Sequence, residues 1–119
     1  MSLDLEKLKA ATAAVKTVCD AVCALPGPLV GGQSCVAGTL TAMGRELQKT
    51  IEVWDGRALT EGERGVASRG AISVRLMRDD KWVSEAFKGV AVPMPGTNDL
   101  VSIEEALSYL HEQLLGAGQ

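Results

Sequence analysis

Between Leu25 and Leu29 the chain reads Leu-Pro-Gly-Pro-Leu. No helix runs through Pro26-Gly27-Pro28. Proline has no N–H to give to a backbone ladder, and it holds the residue before it out of the helical region. On either side of this break lies a long segment with helical period. Before it, Leu5, Leu8, Val15, Val18, Cys19, Val22 and Leu25 recur at spacings that keep one stripe, with Ala11 and Thr12 bridging the gap. After it, Val36, Leu40, Met43, Leu47, Ile51 and Trp54 form the cleanest stripe in the chain. Two striped helices joined by a short Gly/Pro turn form an antiparallel hairpin.

The second helix is expected to open at Ser34, a good N-cap residue, and to stop at Gly56. A third clear element lies near the C-terminal end. Ser102-Ile103-Glu104-Glu105 has the form of a capping box, and Ile103, Ala106, Leu107, Leu110 and Leu114 share a face. Gly116-Ala117-Gly118-Gln119 reads as a frayed tail.

The middle admits two readings. Thr60-Glu61-Gly62-Glu63 is a capping box, and a helix onward places Ile72, Leu76, Val83 and Phe87 together, with Asp79 on the same face. The rival is a strand over 71–77, a turn or cap at Asp79-Asp80, a short helix to Phe87 ended by Gly89, and a second strand over 89–92. The helical reading is preferred. The expected fold is mainly α: a helical hairpin and a C-terminal amphipathic helix in a small bundle. The alternative is α+β with a short sheet from 71–77 and 89–92.

The chain has 119 residues, 46% of them hydrophobic, enough for one packed domain spanning 1–119. Aromatics are scarce, so the core is built of Leu, Val, Ile, Ala and Met. The net charge is −3 and no basic block stands out, which argues against nucleic-acid binding. No apolar stretch reaches membrane-spanning length, and the segment from Leu3 onward is charged and amphipathic, unlike an export signal. Three cysteines without an export signal read as reduced thiols in the cytoplasm.

Gly27-Pro28-Leu29-Val30-Gly31-Gly32-Gln33-Ser34 comes close to the phosphate loop G-x-x-x-x-G-K-[ST], with Gln33 in the lysine position. That loop needs a buried strand before it, and the segment before it here is helical. The motif is read as a turn between helices. A weaker reading survives: Gly31, Gly32 and Ser34 open a helix N-terminus that suits a small anion.

If Ser34 caps the helix, Cys35 is its first residue, where the dipole favours thiolate. His111 is the sole histidine, so Cys35–His111 is the one catalytic Cys–His pair available. Cys19 and Cys23 share a helix face, but a zinc site with Cys35 and His111 lacks the usual tight-turn spacing. No metal site and no cofactor is expected. Asp79-Asp80 and Glu104-Glu105 are explained by caps and first turns. Gly32-Gln33-Ser34-Cys35-Val36 lacks the second glycine of a nucleophile elbow.

The two hairpin stripes offer more apolar surface than one hairpin contact uses, and Trp54 and Trp82 fall near element ends. The leading expectation is a non-enzymatic interaction protein, a homo-oligomer and most simply a dimer, with room for a protein partner. The alternatives are a small-ligand module near Gly31-Gly32 and a thiol enzyme or redox sensor using Cys35.

Overall fold

In the computed structural model, which describes residues 3–119, five helices and one two-stranded ribbon follow in order. They are α1 (Leu3–Cys23), α2 (Gly31–Glu52), α3 (Glu61–Asp79), α4 (Lys81–Ala86), β1 (Val92–Pro93), β2 (Leu100–Val101) and α5 (Ile103–Ala117). The mainly α expectation holds, and the strand reading of 71–77 does not. α1 and α2 pack as an antiparallel hairpin, with Cys19 beside Thr41 and Gly44 beside Val15. α5 packs on α1, and α3 packs most extensively on α5 and more loosely on α2. The four long helices thus close a ring, 44 × 25 × 21 Å overall.

The stripes read from the sequence of α1, α2 and α5 point inward. Leu8, Val15, Val18 and Val22 of α1, Val36, Leu40 and Leu47 of α2, and Leu107, Leu110 and Leu114 of α5 are fully buried. They form one core cluster with residues of α3, α4 and β1. Hydrophobic burial on this scale stabilises the bundle by about 25 cal/mol for each Å² of apolar surface removed from water. No helix among the described residues is long and apolar enough to cross a membrane.

α3 departs from expectation in which face it buries. Its inner residues are Ala67, Gly70, Ala71, Val74 and Met77, while Ile72 and Leu76 are 52% and 61% exposed. The reason is close approach. Gly70 lies against Met43 and Leu114, and a Cβ there would sit 3.2 Å from the Met43 sulfur. Gly118 lies against Ser68, where an added Cβ would fall 3.3 Å from the Arg64 carbonyl oxygen. The tail is therefore not frayed: Gly116 and Ala117 end α5, and Gly118 and Gln119 dock on α3. Arg64 fastens the same corner, with Nη2 donating to Asp4 Oδ2 at 2.6 Å and Nη1 donating to the main-chain oxygen of Gln119.

The continuous helix expected through Phe87 is broken at Asp80. This residue ends α3 and caps α4, its Oδ1 accepting from the N–H groups of Trp82 at 2.8 Å and Val83 at 3.2 Å. Gly89, at φ 75, turns the chain away after α4. Of the rival reading's strand over 89–92 only Val92 is in a strand, Val92–Pro93, which pairs antiparallel with Leu100–Val101.

Both sequence-read caps form. Thr60 Oγ1 accepts from Glu63 N–H, and Glu63 Oε1 accepts from Thr60 N–H at 2.8 Å. Ser102 Oγ accepts from Glu105 N–H. Arg57 Nη1 also donates to Glu63 at 2.7 Å. This bond first, and the Thr60 backbone second, lower the Glu63 carboxyl from 4.5 to about 2. A depressed folded-state pKa contributes stability that is present above the unfolded value and lost as pH falls through the folded one. Stability is therefore expected to decline between about pH 4.5 and about pH 2 on this account. Glu63→Gln is predicted to flatten that part of the acid limb in urea titrations. An unchanged slope would show that the Arg57 contact contributes nothing to folding.

Candidate functional site

The stretch around Gly31-Gly32 is where the sequence placed an anion site. α2 opens there, three residues earlier than Ser34, with Val30 as N-cap. Ser34 is already inside the helix, its N–H donating to Val30 O at 2.8 Å. Valine has no side-chain acceptor, and Gln33 does the work at this end. Its Oε1 accepts from Val30 N–H at 3.2 Å, and its Nε2 donates to Ala86 O at 2.9 Å. Gln33 thus ties α2 to α4.

The two glycines serve the same contact. The Trp82 ring lies where a Cβ on Gly31 would stand, and a Cβ on Gly32 would come within 2.6 Å of Ala86 Cβ and 2.9 Å of Trp82 O. Glycine is needed because α4 crosses the first turn of α2 with no space for a side chain. Gly31 and Gly32 remain in the first turn, and α4 takes up the space beside them.

The early start of α2 also moves Cys35 into the second turn, past the first-turn position from which its activation was argued. Cys35 is half-buried on α2. His111 is half-buried on α5, where its charge falls on Asp79 at the end of α3. Asp79 is held below the ordinary carboxylate value, first by the hydrogen bond from Arg78, with Arg75 and His111 adding positive charge. Among the described residues no hydrogen bond or ion pair joins Cys35 to His111. No group of three or more His, Cys, Asp or Glu side chains among them is placed to hold a metal ion. Trp54 closes the turn after α2, donating from Nε1 to Arg57 O at 2.7 Å, whereas Trp82 is 59% exposed.

Two surface features were not read from the sequence. The first is a groove of about 740 Å³ along the outer side of the hairpin, its floor formed by small residues such as Cys19, Thr41 and Gly44. Cys19 Sγ lies 3.3 Å from Thr41 Oγ1. Thr41 spends its own proton on Ala37 O at 2.7 Å, which leaves its oxygen to accept from the Cys19 thiol, and the Cys19 sulfur also meets Cys23. The Cys23 thiol, exposed at the end of α1 in the same groove, is raised above its ordinary value, first by the desolvation its neighbours impose and then by Cys19.

The second is a groove of about 520 Å³ between α2 and α3, lined by Gly38, Ala42, Met43, Val66 and Gly70, with Glu46 on one wall and Arg69 on the other. Ile72 and Leu76 stand exposed on α3, the helix that forms one wall. Neither Glu46 nor Arg69 forms an ion pair among the described residues. The sequence signal was present in Ala67, Gly70 and Ala71, whose helical spacing marks a small-residue face that large residues must oppose.

No family model matches the chain, no curated protein is similar to it, and no solved structure matches it. The functional reading therefore rests on the geometry above.

The glycine contacts make a paired prediction for urea unfolding. Gly32→Ala is expected to cost about 1–3 kcal/mol, since α4 must move to admit a methyl group. Gly116→Ala, in a helical position facing open space, is expected to be neutral or to stabilise by up to about 1 kcal/mol. Equal effects at both positions would contradict the assigned packing of α4 on α2.

Proposed function

We propose that this chain works through protein contact, pairing with a second copy of itself across the open side of α2 and α3. The observation that supports the reading is the outer face of α3. Ile72 and Leu76 lie one turn apart and exposed, on the helix that also lends Gly70 to the α2–α3 groove. At 52% and 61% exposure, these two side chains forgo roughly half of the about 1.5–3 kcal/mol that full burial would give each. A partner that covers them recovers that energy.

The charges favour a copy of the same chain. In a two-fold interface residue i meets j and j meets i. Glu46 and Arg69 face one another across the groove with opposite sign, so rotation of a second copy brings each beside its complement. The pairing expected from the sequence thus moves from the tryptophans to α3. We place the chain in the cytoplasm, where its three free cysteines stay reduced.

The test is sedimentation equilibrium over a range of protein concentrations. The expected mass rises from 12.5 kDa toward twice that value. Leu76→Asp and Ile72→Asp are each predicted to hold the chain at the single-copy mass, because a carboxylate on the strip would be buried without a partner. Trp82→Ala should leave the pairing intact. A single-copy mass throughout, or pairing that survives both aspartates, refutes this reading.

A further inference from the structure

We propose that Cys19 and Cys23 hold a soft monovalent d10 metal ion, with Cu(I) as its representative, between their two sulfurs in the α1–α2 groove. The site is separate from the α2–α3 face and does not rest on the pairing of copies.

The placement follows from α1. Residues four apart lie one above the other on a helix face, and both cysteines line the same groove. Cys23 is exposed at the last residue of α1 and Cys19 is half-buried one turn below it. An ion thus has an open approach through Cys23 and a seated second ligand in Cys19. Thr41 orients that ligand: it takes the Cys19 proton at 3.3 Å while its own proton goes to Ala37 O. The Cys19 sulfur also lies within hydrogen-bonding reach of Cys23, so the two sulfurs are close enough to share one ion. Once Cys19 is a thiolate, Thr41 can turn its hydroxyl to donate to the sulfur, the kind of outer contact that fixes a metal ligand.

The donor set selects the ion. Tetrahedral zinc takes four ligands, and no group of three candidate side chains exists among the described residues. Two thiolates with no further donor suit a soft ion that accepts linear two-coordination. Binding is an exchange without oxidation: Cu(I) plus two thiols gives a dithiolate complex and two released protons. That complex carries one negative charge. The groove supplies the balance, because Lys16 is already bonded to Asp20 at 3.0 Å, while Arg45 and Lys49 face only Glu52 among the remaining charged lining residues.

The experiment is an anaerobic competition between the reduced full chain and the Cu(I) complex of bicinchoninate, followed by loss of the complex's visible absorbance. One Cu(I) per chain is expected to be withdrawn, with two protons released per ion and an X-ray absorption spectrum showing two sulfur neighbours. Cys23→Ser is the decisive variant, since it is exposed and its folding is readily verified by circular dichroism. It is expected to lower affinity by at least about tenfold, as is Cys19→Ser, while Cys35→Ser stays close to wild type. No withdrawal of copper, affinity unchanged in Cys23→Ser, or one ion shared between two chains would each overturn the proposal.

Discussion

Everything in this bundle depends on how closely α3 can approach its neighbours. Ala67, Gly70 and Ala71 present almost no side chain to the interior, so large side chains such as Met43 and Leu114 seat directly on the α3 backbone at Gly70. Gly118 does the same from α5 against Ser68. Packing contributes many weak dispersion contacts, each about 0.1–0.2 kcal/mol, and these need surfaces at van der Waals distance. A helix that turns this face inward, with Val74 and Met77 beside the small residues, leaves the opposite face outward. Ile72 and Leu76 are the consequence, and the proposed contact with a second copy is what would use them.

The same device recurs at the other end of the bundle. α4 is only six residues long and has little stability of its own. It is held by Asp80 at its start, by Val83 in the core, and by its seat on Gly31, Gly32 and Gln33. A stretch that resembles a phosphate loop on paper is here a saddle for a crossing helix. Its glycines are required by a backbone and a tryptophan ring.

How much of this was legible in the sequence differs by element. α1, α2 and α5 carry large apolar residues at helical spacing around a proline break, and their buried faces follow directly. The caps at Thr60 and Ser102 are local chemistry: the Thr60 box forms in full, and at Ser102 the half made by the serine hydroxyl forms. Local rules point to Ser34 as the start of α2, since it is a better cap than Val30, yet Val30 is the N-cap. The contact from Gln33 to Ala86, 53 positions along the chain, is tertiary and outweighs that preference. Large residues at helical spacing point to the wrong face of α3, because close packing there selects small ones. The ribbon of Val92–Pro93 with Leu100–Val101 is too short to show alternation. That Cys19 and Cys23 share a face was visible, but Thr41, which orients Cys19, comes from another helix.

The rotation of α3 about its axis is the claim from which the rest follows, and one comparison tests it. Unfolding by urea would be measured for Ala71→Leu and Leu76→Ser at a protein concentration low enough that copies are apart. With the small residues inside, Ala71→Leu loses about 1–3 kcal/mol by overpacking, and Leu76→Ser stays within about 0.5 kcal/mol of the parent. If the serine is the costly change and the leucine is tolerated, Leu76 faces the core. The account of α3, and the pairing built on it, is then wrong.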